Sequence, residues 1–173
     1  MGAATRARAL ARSVSFRKLR QRGFSVGETI TVMAVIAVLA TIALPRFLAL
    51  RVEAREAKAQ GIYGAIRSGS ALAHAGCLAN LGGNCTRTGG TLDLDGAVIE
   101  MVNGYPSAAE SMASPGGILL AAQLTKTEDA VITRQGDTLT IDLKGGAPGQ
   151  CSITYTEAGP GATPTISINI GGC

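Results

Sequence analysis

The chain has 173 residues, enough for one modest domain and too few for two of ordinary size. A hydrophobic content of 46% with only 3% aromatic residues implies a core built from Ala, Val, Ile and Leu. The formal charge of +4 is unevenly placed: Arg6, Arg8, Arg12, Arg17, Lys18, Arg20 and Arg22 precede Phe24 with no acid among them, leaving nine cations against 12 acids, a net side-chain charge of −3. The basic character therefore belongs to the first segment, which argues against a general basic surface for nucleic acid.

From Phe24 to Leu44 runs an apolar stretch of 21 residues. As a helix it spans about 31 Å, close to the hydrocarbon thickness of a bilayer. That is longer than the apolar region of a secretory signal peptide, and an apolar run of this length is foreign to a mitochondrial transit peptide. The cations in front of the run predict a cytoplasmic N-terminal end, with residues 48 onward exported. One carboxylate, Glu28, stands near the front of the span. At a bilayer centre an acid costs on the order of 3 kcal/mol, and such residues are usually paired and functional. Four residues past Phe24, it can also rest at the cytoplasmic interface at a smaller cost.

Gly23-Phe24-Ser25-Val26-Gly27-Glu28 and the apolar run behind it resemble the class III signal of type IV pilins and of the pseudopilins of type II secretion. The resemblance implies cleavage by a prepilin peptidase between Gly23 and Phe24, which removes residues 1–23 as a basic leader, and N-methylation of Phe24. It also implies a role for Phe24 and Glu28 in assembly, the carboxylate pairing with the N-terminal ammonium of a neighbouring subunit. The leader is long, and Ser25, Val26 and Gly27 replace the commoner Thr-Leu-Ile of that family.

Pro45 removes a backbone hydrogen bond inside the helix. The resemblance makes it a third assembly residue and implies loss of helical order over 37–44 when subunits polymerise; an isolated subunit equally admits a simple kink. Beyond it, Leu48, Val52, Ala59, Ile62, Ile66 and Ala73 recur at helical spacing. One long helix is expected from Phe24 to Ala75, its first half (24–47) in membrane or filament core and its second half packed on a sheet. Gly61, Gly64 and Gly69 each weaken it by roughly 1 kcal/mol relative to Ala, or permit close packing. His74, the one histidine, reads as a favourable charge near the helix end or an exposed side chain.

Cys77, Cys85, Cys151 and Cys173 all follow the span, with no Cys-x-x-Cys pair among them. An even count in an exported domain reads as two disulfides. Of three possible pairings, Cys77 with Cys85 and Cys151 with Cys173 is expected, since each closes a local loop. Strands are expected over 91–102, with a hairpin turn at Asp95-Gly96, and over 130–133, 138–143, 151–156 and 165–170. Residues 107–124 read as short helical or loop pieces broken at Ser114-Pro115-Gly116-Gly117. The expected class is α+β: a long N-terminal helix on one antiparallel sheet, with a disulfide-closed C-terminal loop, residues 48–173 forming the exported domain.

Val102-Asn103-Gly104-Tyr105-Pro106, Leu44-Pro45-Arg46-Phe47, and the ending from Cys151-Ser152-Ile153-Thr154-Tyr155-Thr156-Glu157-Ala158 to Gly172-Cys173 are similar to the major pilins of mannose-sensitive haemagglutinin (MSHA) pili, a type IVa group. That resemblance implies an inner-membrane precursor that polymerises with copies of itself through an assembly platform and minor pilins into a surface filament for adhesion and biofilm formation. By its own residues Asn103-Gly104-Tyr105-Pro106 is first a turn. No nucleophile–base pair, P-loop or dinucleotide fingerprint occurs, so neither catalysis nor a cofactor is expected. Asp93 and Asp95 share a strand face, but two carboxylates are too few for a calcium site, and no metal is expected. Two further readings stand beside the structural pilin: a pseudopilin of a secretion or DNA-uptake machine, and a single-pass anchored domain that never polymerises.

Overall fold

The computed structural model describes residues 23–79, 84–124 and 129–173. The leader up to Arg22 lies outside the described residues. Helix α1 runs from Val26 to Leu78, 53 residues, and continues through Pro45. Ser25 stands just before it, and the Glu28 N–H donates to the Ser25 hydroxyl at 3.2 Å while the Ser25 N–H reaches back to the Glu28 carboxylate at 3.4 Å. This reciprocal pair satisfies two of the donors that a helix start leaves without partners. The chain divides into two units, Met1–Ala43 and Leu44–Cys173.

In the first unit the described residues are helical from Val26 on, and the large apolar side chains from Phe24 to Ile42 are exposed. In the second, the buried positions of α1 are Ala59, Ile62, Ile66, Gly69, Ser70, Ala73, Gly76 and Cys77, at steps of one, three and four. That is one face of a 3.6-residue helix. Leu48 and Val52, expected on this face, are 53% and 40% exposed; the covered stripe begins only at Ala59.

The expected single sheet is instead two. Strands β1 (Gly90–Leu94), β2 (Ala97–Val102) and β3 (Tyr105–Pro106) form one antiparallel sheet in that order; β4 (Ala130–Gln135), β5 (Thr138–Leu143), β6 (Ser152–Thr156) and β7 (Thr165–Asn169) form a four-stranded antiparallel meander. The division follows from hydrogen bonding. Beyond the short β3, the edge of β2 is taken by Gly116, which accepts from Glu100 at 2.8 Å and donates to the Val98 carbonyl at 3.1 Å. With that edge filled, the strands from Ala130 onward pair with one another. Each sheet has its own core on α1. Ala73 and Cys77 pack with Leu92, Ile99 and Met101; Ala59, Ile62 and Ile66 pack with Leu139, Ile141, Ile153 and Tyr155.

Turn chemistry sets both registers. Asp95 (φ 54°) and Gly96 (φ 80°) close the β1–β2 hairpin, with Leu94 opposite Ala97. The Asp93 carboxylate is spent on this turn, accepting the Gly96 N–H at 2.9 Å. Asn103 (φ 52°) and Gly104 (φ 85°) make a second two-residue turn between β2 and β3, with Val102 opposite Tyr105. Both are left-handed pairs of the kind that matches strand twist. The expected disulfides are present: Cys77–Cys85 ties the end of α1 to the loop before β1, and Cys151–Cys173 closes a separation of 22 residues. By loop entropy the longer bridge contributes about 3 kcal/mol.

Of the three glycines thought to weaken the helix, only Gly69 has a packing reason. A Cβ there would stand 2.7 Å from the Ala121 carbonyl oxygen, at the end of the short helix α2 (Ile118–Ala121), whereas Gly61 and Gly64 face open space. Gly69→Ala is therefore expected to destabilise the full chain in detergent by about 1–3 kcal/mol through forced displacement of backbone. Gly61→Ala is expected to stabilise it by up to about 1 kcal/mol. Denaturant unfolding of the two variants checks the opposite signs.

Candidate functional site

The residues singled out at the helix start lie together. Gly23 is exposed with nothing within 4 Å of a Cβ placed on it, and Phe24 is 78% exposed. Both residues are thus exposed among the described residues. Glu28, four residues on, sits in the first turn of α1 with its carboxylate bonded to the Ser25 N–H. This local pairing is legible in the sequence as Ser-x-x-Glu, the capping-box spacing, although those positions first read only as departures from a family pattern. A carboxylate that accepts one such bond retains further acceptor positions for a cation.

Along the apolar run, hydroxyls turn back into the helix. Thr29 donates to the Ser25 carbonyl, Thr31 to that of Gly27 and Thr41 to that of Val38, at 3.2, 2.9 and 2.7 Å. No polar group of these threonines need therefore face an apolar surround unpaired. α1 is long and apolar enough to cross a membrane, and its most apolar window is unburied. At Pro45 the backbone stays helical, although the missing N–H leaves the Thr41 carbonyl without its usual donor.

A second constellation surrounds Asn103-Gly104-Tyr105-Pro106. His74 of α1 is half-buried, its ring stacked on Tyr105 at 4.1 Å between centroids and 4° between planes, with Nδ1 2.9 Å from the Gly104 oxygen. This corrects the expectation of an exposed or merely dipole-stabilising histidine. Asn103 Nδ2 donates to the Ala158 carbonyl at 2.7 Å, and the buried Tyr155 hydroxyl donates to the Pro106 carbonyl at 2.6 Å. The turn is thus a joint between α1 and both sheets. Its parts were visible in the sequence, but their partners lie 30 to 55 residues away.

Glu157 extends the joint. It accepts the Ala108 N–H at 2.6 Å and approaches Arg134 at 3.4 Å, while Glu110 accepts the Arg134 N–H at 2.6 Å. These contacts pin residues 107–110 against the four-stranded sheet. Among the described residues no group of three or more His, Cys, Asp or Glu is placed to hold a metal.

Compared with known proteins, the chain matches no family model, no curated protein and no solved structure. What stands directly on the structure is an α+β architecture: one long apolar N-terminal helix suited to membrane anchoring, two antiparallel sheets and two disulfides.

Burial raises the Tyr155 phenol above its ordinary range, against a hydrogen bond from Ser70 that works the other way. A phenol whose pKa is higher folded than unfolded contributes stability below about pH 10, and that contribution is lost as pH rises toward the folded value. Stability is therefore expected to fall above about pH 10. Tyr155→Phe should flatten that additional alkaline loss while costing about 1–3 kcal/mol at neutral pH, because the Pro106 carbonyl loses its donor. Denaturant midpoints of both proteins between neutral and alkaline pH check it.

Proposed function

We propose that this chain is the precursor of a type IV pilus subunit of the MSHA-like type, a structural and non-catalytic protein that polymerises into a surface filament for adhesion and biofilm formation. The observation that carries this reading is an exposed Gly23–Phe24 pair followed, five residues after the glycine, by Glu28, the one carboxylate of the apolar run 24–44. A prepilin peptidase cuts that bond at the cytoplasmic face of the inner membrane, and the new N-terminus at Phe24 is methylated. The leader cations hold the N-terminal end inside while residues 48–173 fold outside and oxidise their cysteines.

In the membrane-anchored monomer, Glu28 closes the capping box of its own helix. In a filament, where apolar helices bundle and water is excluded, its free acceptor positions take the ammonium of a neighbour's Phe24. Leaving either charge unpaired in such a core costs about 3–5 kcal/mol, so the pair selects one docking register. The weakened backbone around Pro45 is where the helix yields when subunits leave the bilayer through the assembly platform behind minor pilins. The disulfide-closed loop from Cys151 to Cys173 favours a pilin over a pseudopilin, because the pilins that this chain resembles carry such a loop.

The test is the intact mass and N-terminal sequence of the protein in material sheared from the cells of origin. The expected subunit begins at N-methylated Phe24 and is lighter by two hydrogens for each disulfide. A cleaved chain found only within the envelope would assign it to a pseudopilin, and a chain beginning at Met1 and confined to membranes would overturn processing and assembly together.

Two substitutions separate the roles of the helix start. Glu28→Val is expected to be cleaved normally yet to reduce sheared filament on the order of 100-fold or more, the factor that about 3 kcal/mol represents. Ser25→Ala, which removes the cap and keeps the acid, should cost about 1 kcal/mol of helix stability and leave filaments assembled.

A further inference from the structure

The edge of a sheet presents a row of main-chain donors and acceptors that invites another strand, and folded proteins cover or charge such edges. Three of the four edges here are managed. Gly116 fills the side of β2 beyond the short β3, Glu110 accepts the Arg134 N–H of β4 at 2.6 Å, and β1 carries an acid, Asp93. β7 is the last strand of its sheet and differs. It holds no charged residue, and Pro164 bounds it without entering it. Among the described residues its main chain makes no hydrogen bond outside the β6 ladder.

The strand is also complementary to itself. It reads Thr-Ile-Ser-Ile-Asn. A second copy laid antiparallel about Ser167 sets Ile166 opposite Ile168, Thr165 opposite Asn169 and Ser167 opposite its own counterpart. Apolar then meets apolar, hydrogen-bonding groups meet their like, and no charges are opposed. Facing positions have the same parity, so the outward main-chain groups of one strand meet those of the other. Ile166 and Ile168 are only partly buried at the rim of the core under the four-stranded sheet. A partner strand therefore covers apolar surface that a single copy leaves in water. On the opposite face, Thr133, Thr140, Thr154 and Ser167 stand abreast across all four strands, and the pairing continues that row of hydroxyls through the join.

We infer that β7 is a homophilic docking edge, which pairs antiparallel with β7 of a second copy about a two-fold axis between the two Ser167 residues. Such a contact is isologous and closes after two copies. A strand of five residues buries little area, so one pair is transient by itself; display of many copies together multiplies it. The two-fold stands normal to the sheet and reverses every direction within its plane. The stretch of α1 from Ala59 to Ile66, packed along that sheet, therefore runs oppositely in the two copies. The pair is thus separate from the proposed bundling of helices in one filament, and it requires neither cleavage after Gly23 nor polymerisation.

The experiment is cross-linking of the full chain in detergent micelles, where the four native cysteines are bridged and an added thiol is the site of reaction. Ser167→Cys treated with a short bismaleimide is expected to give a covalent dimer, at least tenfold more than Thr133→Cys, an exposed position in the strand at the other edge of the same sheet. Thr165→Cys copies mixed with Asn169→Cys copies should couple at least tenfold better than Thr165→Cys alone, whose two thiols lie about 13 Å apart along the paired strands. Adding Ser167→Lys to both partners should cut the mixed yield at least fivefold, and Ser167→Lys in one with Ser167→Glu in the other should restore it. Equal yields from positions 167 and 133, equal yields from the mixed and unmixed copies, or indifference to the charge at 167 would each overturn the pairing. The Asn169 side chain bonds to Gly149 and Gly171; if its variant fails to fold, the comparison of Ser167→Cys with Thr133→Cys decides.

Discussion

The buried hydrogen bond from the Tyr155 hydroxyl to the Pro106 carbonyl, 2.6 Å long, is the contact on which the second unit is organised. Tyr155 belongs to the four-stranded sheet and Pro106 to the three-stranded one, and the two sheets share no strand. A phenol buried this deeply must find a partner or forfeit its desolvation cost, so the bond fixes where one sheet stands against the other. Tyr155 shares its core with Ala59, Ile62 and Ile66 of α1, so the same contact refers both sheets to the helix.

Small residues make that reference point possible. Gly69 admits the Ala121 carbonyl, and Gly76 admits Leu92, against which a Cβ would lie at 3.3 Å. Ala59 and Ala73 are fully buried between the larger side chains on either side. A domain with so few aromatic residues reaches native packing density by close approach of backbones in place of bulky side chains. The His74–Tyr105 stack and the bond from Asn103 to Ala158 extend the same joint, so the Asn-Gly-Tyr-Pro turn is a structural fixture rather than an exposed recognition loop.

The helix start obeys a different constraint. Its large side chains from Phe24 to Ile42 are apolar and exposed, so water cannot be their lasting surround. A lone acid in that setting needs local satisfaction in one environment and a charge partner in another. The Ser25–Glu28 cap supplies the first. The proposed docking of a neighbouring ammonium supplies the second, without requiring the cap to be built differently.

What was legible in the sequence was everything whose cause is local. The apolar run, the Asp95-Gly96 and Asn103-Gly104 turns, the alternation in 138–143 and the near-neighbour cysteine pairs each report a period, a turn-forming residue pair or a short loop, so they read directly as a span, a hairpin and a turn, a strand and disulfides. Even the capping box was written there as Ser25-x-x-Glu28. Tertiary structure decided what depends on distant partners. It made two sheets because Gly116 occupies the edge of β2, began burial at Ala59 because Leu48 and Val52 have nothing over them, and drew His74 onto Tyr105. It also left β7 at the edge of its sheet. Such outcomes turn on which edges and faces remain free once other segments have paired, and no window of sequence contains both members of the competition.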